Sequence, residues 1–257
     1  MSRGGRELQK MSSLDRFPET ADIETSSADY AVRFSGAIGE WFLSVQQEAT
    51  LRMLAPHPNA HILDVGGGHG QLMPALIREG YNVTVLGSAP SCEDRIKPWV
   101  EAGRCSFVLG NILDLPYPDR TFDVVISYRL LPHVTEWRRF LSELARVARI
   151  AVLVDYPATR SVNSVAPLLF GWKKHVEGNT RPFACFRESE PLAVFRSVGY
   201  ELADRYPEFS FPMVLHRVMR APRISAGMEA LARSSGLTRV LGSPVILKLI
   251  RLTPATT

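Results

Sequence analysis

Cysteine is scarce in this chain of 257 residues: Cys92, Cys105 and Cys185 fit neither metal-ligand nor redox-pair spacing. That argues against a disulfide-stapled secreted domain, and no metal is expected. No stretch approaches the ~18 apolar residues of a membrane span. Residues 1–27 are polar and serine-rich and lack the apolar centre of a signal peptide, so a flexible tail and a cytoplasmic location are expected. There is no run of five basic residues and no nucleic-acid motif, which speaks against a nucleic-acid partner. Internal repeats and low-complexity tracts are absent as well.

What is present is an ordinary globular composition, 46% hydrophobic and 22% charged, in a chain long enough for one sizeable core. Charge is uneven. Residues 1–156 carry 16 Lys and Arg against 19 Asp and Glu, whereas residues 157–257 carry 14 against 7. A basic C-terminal region suits an anionic substrate or an anionic membrane surface, and equally a solvated arginine-rich face.

Apolar periodicity predicts a helical stretch from Asp29 to Leu54, weakened or split by Gly36 and Gly39. Strands are expected at Ala60–Val65, Asn82–Leu86, Cys105–Leu109, Phe122–Ser127 and Ile150–Asp155. Between them fall helices over Gln71–Glu79, Cys92–Ala102 and an amphipathic segment with Thr135 as N-cap and Trp137, Phe140, Leu141, Leu144 and Val147 on its apolar face. Alternation at this spacing means an α/β fold: a doubly wound, mostly parallel sheet covered by helices on both faces. Residues 157–186 predict no element. A helix at Glu188–Ser197, a strand at Tyr200–Arg205, helices at Met213–Met219 and Ile224–Ser234 and a last strand at Pro244–Leu252 follow. One domain is expected over 28–257, its ligand-binding core ending at 156, with cap insertions within 157–243 and a closing strand at 244–252.

Strand one runs straight into Gly66-Gly67-Gly68-His69-Gly70, a glycine turn that lets backbone approach a ligand closely and hands it to a helix N-terminus. Such a turn serves nucleotide, dinucleotide and adenosyl cofactors alike. Two downstream segments narrow the choice. Leu63–Gly70 resembles the first motif of class I S-adenosylmethionine-dependent methyltransferases. Asn111-Ile112-Leu113-Asp114-Leu115-Pro116-Tyr117-Pro118-Asp119-Arg120-Thr121-Phe122-Asp123-Val124-Val125 resembles that family's D-A-x-x-L-P-F-x-D-x-x-F-D-x-V segment. Ser127–Val134 is similar to the strand-four exit of the UbiE-like small-molecule branch. The resemblance covers residues 60–156 and implies a Rossmann-like seven-stranded sheet, S-adenosylmethionine as cofactor and a small-molecule or lipid-like acceptor.

By that resemblance, Asp64 fixes the turn and approaches the methionine amine, while Gly66, Gly67, Gly68 and Gly70 pass beneath methionine and ribose. Ile112 flanks adenine, Asn111 faces its amino group with an amide oxygen in place of the usual carboxylate, and Ser127 and Tyr128 border the transferable methyl. Tyr30 and Arg33 belong to a covering helix, with Arg33 a partner for the methionine carboxylate or for a surface acid. One feature departs from the family. Strand two should end in an acid for the ribose hydroxyls, yet it runs into Gly87-Ser88, which stand at the cofactor position with Ser88 able to supply one hydrogen bond, and the next acids are Glu93 and Asp94. The same gap counts against NAD. His133 is a candidate general base or a pocket-lining residue, and His69 is set by its turn. Lys173, Lys174 and Arg181, near Pro167–His175, are candidate substrate contacts, and Phe209–Met219 adds a second apolar and basic cluster. These suit an apolar acceptor with an acidic group, or membrane-surface contact. A cofactor-binding scaffold without catalysis and a nicotinamide-dependent oxidoreductase are the alternatives. The oligomeric state has no signature.

Overall fold

The computed structural model describes residues 17–161 and 183–252. Seven strands form one sheet in the order β3-β2-β1-β4-β5-β7-β6. They are β1 His61–Val65, β2 Asn82–Gly87, β3 Ser106–Leu109, β4 Phe122–Ser127, β5 Ala148–Tyr156, β6 Tyr200–Pro207 and β7 Val245–Arg251. The first five are mutually parallel, and β7 alone runs antiparallel, between β5 and β6. The carboxyl ends of β1 to β6 therefore share one edge, where ligands of such sheets bind.

Both sheet faces are buried, because residues alternate between two cores along each strand. Leu63, Val65, Val125, Val152 and Leu247 pack with Phe140, Leu141 and Leu144 on one face. Ile62, Val83, Val124, Ile126 and Leu153 pack with Ala49, Met53, Leu54 and Leu76 on the other. The helices are α1 Ala21–Thr25, α2 Ala28–Val32, α3 Gly36–Leu54, α4 Met73–Arg78, α5 Lys97–Glu101, α6 Trp137–Val147, α7 Ser189–Ser197, α8 Met213–Met219, α9 Pro222–Ser234 and α10 Leu237–Leu241. The C-terminal carbonyls of α6 are held from β7: Arg251 donates to the carbonyls of Ala145 (2.7 Å) and Ala148 (2.8 Å).

The Asp29–Leu54 stretch splits into two helices at Ser35-Gly36, where Gly36 has φ +71°, one of the two outcomes its glycines implied. Three other expectations are corrected. The helix expected from Cys92 is a 3₁₀ turn, Pro90–Glu93, and the short α5, because Pro98 has no N–H and disfavours helix before it. Thr135 does not cap α6: the position before that helix is Glu136, and the Thr135 amide instead donates to Glu19 Oε2 at 3.0 Å. Finally, packed structure does not wait for residue 28. Glu19, Ala21, Asp22, Thr25 and Ser26 are all buried.

Candidate cofactor site

The site is built at the carboxyl ends of β1, β2 and β4. Asp64, the penultimate residue of β1, is buried, and burial raises its carboxyl to about 7 against the opposing pull of Arg129. The turn behind it admits only glycine in three successive places. Gly66 has φ +77°, while a Cβ on Gly67 would lie 2.1 Å from the Asp64 carboxylate and one on Gly68 2.2 Å from the Cys92 carbonyl. His69 is 2% exposed and takes the Gln71 amide on Nδ1. Burial pushes it down to about 3, so it is a neutral element of the turn.

Around the turn, Ile112 is fully buried, and Ser127 Oγ donates to the Val65 carbonyl at 2.9 Å, tying β4 to β1. Asn111 Oδ1 accepts from the Leu113 amide at 3.0 Å, so this oxygen shapes its own loop. Tyr128 points to the α3 side, its hydroxyl 3.0 Å from Thr50 Oγ1, and burial holds its pKa well above the usual range. Tyr30 is buried, whereas Arg33 is exposed and stacks over the Tyr30 ring at 5.0 Å. The structure thus does not bring Arg33 into the cleft. Gly87 closes β2 where a Cβ would meet Cys92 Cβ at 2.6 Å. His133 ends the 3₁₀ turn Leu131–His133 beyond β4, its ring 5.5 Å from that of Phe183. Lys173, Lys174 and Arg181 lie outside the described residues.

Two residues that sequence reasoning passed over are central. Arg129 follows β4 with φ +62°, an unusual conformation for an arginine. Its amide donates to Asp155 Oδ1 (2.6 Å), its guanidinium donates to Gln46 Oε1 (2.5 Å) and it lies 4.2 Å from the Phe34 ring centroid. Burial raises Asp155 to about 6 and Glu208 to about 8, the latter also pushed by Asp155, while Arg129 pulls both down. The arginine is therefore the shared cation of a buried acidic cluster. The other residue is Asp22, from α1. Its carboxylate accepts from the Ser88 amide (2.6 Å), the Ser88 hydroxyl (2.5 Å) and the Cys92 thiol (3.4 Å). Burial and the Asp22 carboxylate push that thiol up to about 12, which keeps it a donor.

The chain's own groups fit an adenosyl cofactor. The turn after β1 carries no side chain at 66, 67, 68 or 70, Asp64 stands at its root, and Ile112 shares a buried apolar cluster with Leu86 near the end of β2. Among the described residues no group of His, Cys, Asp and Glu could hold a metal ion.

Comparison with known proteins agrees. Residues 63–151 match the family described as "Methyltransferase domain". The chain is 25% identical over 212 residues to a malonyl-[acyl-carrier protein] O-methyltransferase of Serratia marcescens, covering 80% of this chain and 82% of that protein. It is 31% identical over 186 residues to the O-methyltransferase resE of Aspergillus sclerotiorum, covering 59% and 70%. Other relatives align over only 34–39% of their own length. The magnesium protoporphyrin IX methyltransferase of Synechocystis PCC 6803, solved with bound S-adenosylhomocysteine, shares the fold at TM-score 0.63 and 14% identity, over 89% of this chain and 97% of that one. With the sheet order, the glycine turn and these relatives in agreement, the chain belongs to the class I S-adenosylmethionine-dependent methyltransferases.

Proposed function

We propose that this enzyme methylates a small, partly apolar acceptor that carries an anionic group. The observation that carries this reading is a cleft of about 930 Å³ at the carboxyl ends of β5 and β6, where Arg160, Arg187, Arg205 and Arg239 face one acid, Glu188. Glu188 is already engaged by Arg205 and by the Tyr156 hydroxyl. The remaining guanidiniums suit a carboxylate or phosphate, and Phe186 and Val240 add apolar wall. One side of the cleft is lined from the end of β5, the strand next to β4, which carries Ser127. The serratial relative is named for an acceptor based on malonate, which agrees with an anionic group.

S-adenosylmethionine, when bound, supplies an electrophilic methyl group. The chain's residues do the rest: they orient the nucleophile, exclude water and, where the nucleophile arrives protonated, receive its proton on the His133 imidazole. Asp64, Gly66, Gly67, Gly68, Gly70, Gly87, Ser88, Asn111, Ile112, Ser127 and Tyr128 form the cofactor's surroundings in this reading. Contact with a membrane surface belongs to the same proposal. Val218, Ile224, Leu231 and Val240 are 61–75% exposed on α8 to α10, beside Arg217, Arg220 and Arg223. Among the described residues no helix is long and apolar enough to cross a membrane.

The test is transfer of a labelled methyl group into a metabolite extract split into anionic and neutral pools. Label should enter the anionic pool, and joint Arg160→Glu and Arg239→Glu replacement should lower it about tenfold or more with cofactor affinity unchanged. Label confined to the neutral pool would refute the proposal.

A further inference from the structure

The end of β2 and the glycine turn are both met by residues of the segment around α1. Ala21 is 1% exposed in the same buried cluster as Leu86, Ile112 and Leu113. Asp22 is bound to both donors of Ser88, at the end of β2 where the family places the ribose. Ser26 lies against the glycine turn: a Cβ on Gly68 would come 2.5 Å from its Oγ, and one on Gly66 3.5 Å from Asp22 Cβ. These are contact distances, and they leave no layer for a ligand between the segment and the turn. A second tie fixes its other end. Glu19 takes the Thr20 amide on Oε1 and the Thr135 amide on Oε2, both at 3.0 Å. The segment is thus fastened beside β2 and again beyond β4, with the turn of β1 beneath it.

We propose that residues 19–26 are an intramolecular occupant of the cofactor cleft, so that S-adenosylmethionine binds only after α1 has been released. The proposal rests on the assignment of the glycine turn to that cofactor. It also gives the sequence anomaly of β2 a physical reason. A family-type acid at the end of β2 would repel the Asp22 carboxylate, whereas Gly87-Ser88 offers an N–H and an O–H that hold it. α1 has only five residues, too few to be stable alone, so its place depends on these ties. Closed and open arrangements then compete, and apparent affinity is the intrinsic affinity reduced by the open fraction.

Calorimetry with S-adenosylmethionine and hydrogen exchange test this without any turnover. Asp22→Ala should bind the cofactor about tenfold more tightly than the parent chain, since the closed arrangement loses its bidentate tie. Glu19→Ala, which loosens only the far tie, should tighten binding several-fold. Amides of residues 19–26 should exchange faster with saturating cofactor than without it. Weaker binding by Asp22→Ala would make Asp22 a direct cofactor ligand and overturn the proposal. Unchanged affinity in both variants, or slower exchange of the segment on binding, would overturn it as well.

Discussion

Glu208 gives the sharpest quantitative expectation. Its carboxyl is 4% exposed, contacts Gln46 Nε2 at 3.4 Å, and is raised from 4.5 to about 8 by burial and by Asp155. In the unfolded chain the same group ionises near 4.5. Between that pH and about 8 the folded state therefore holds a proton that the unfolded state has lost, and stability falls as pH rises. At ~1.4 kcal/mol per pH unit, the full span amounts to at most about 5 kcal/mol, a large part of a typical domain's 5–15 kcal/mol. Glu208→Gln keeps the shape and the oxygen that faces Gln46 but cannot ionise. Urea unfolding of both proteins from pH 5 to pH 8 isolates the effect, because Asp64, Asp155 and His69 titrate in both. The two should be nearly equal at pH 5, and the variant should gain progressively to several kcal/mol at pH 8. A pH-independent difference would refute the buried, protonated Glu208.

Much of the fold was legible because its signals are local. β4 has the bounds that its apolar run implies, and α6 starts within two residues of the expected place, since its period of 3.6 is unbroken from Trp137 to Val147. The reversed direction of β7 was not legible, because a strand buried on both faces reads the same in either sense. Nor was the division before α5, where Pro98 outweighs the apolar spacing of Ile96, Trp99 and Val100.

In the site, the glycine turn could be read because backbone geometry dictates residue type directly. Asp22, Arg129 and Glu208 could not, because their meaning lies in partners brought together by folding. Asp22 meets Ser88 from 66 positions away, in a segment whose buried side chains are largely polar and therefore resemble a solvated tail. The single hint was negative, the missing acid after β2. The structure also shows why a side chain is hard to restore at Gly87: a Cβ there would meet the Phe107 ring at 3.0 Å as well as Cys92.

Two further outcomes are expected at the site. Gly68→Val should abolish cofactor binding in calorimetry, because its Cβ would fall 2.2 Å from the Cys92 carbonyl, which is backbone and cannot swing aside; retained affinity would mean that the cofactor does not lie on this turn. His133→Ala addresses the proton. If the imidazole receives it from the acceptor, kcat should fall by roughly 10²–10⁴ with the cofactor Kd unchanged. The 3₁₀ turn should persist, since it is closed by the His133 amide donating to the Leu130 carbonyl at 3.0 Å, a backbone bond that the substitution leaves in place. Turnover equal to the parent's would leave His133 as pocket wall, and a loss confined to cofactor affinity would make its role positional.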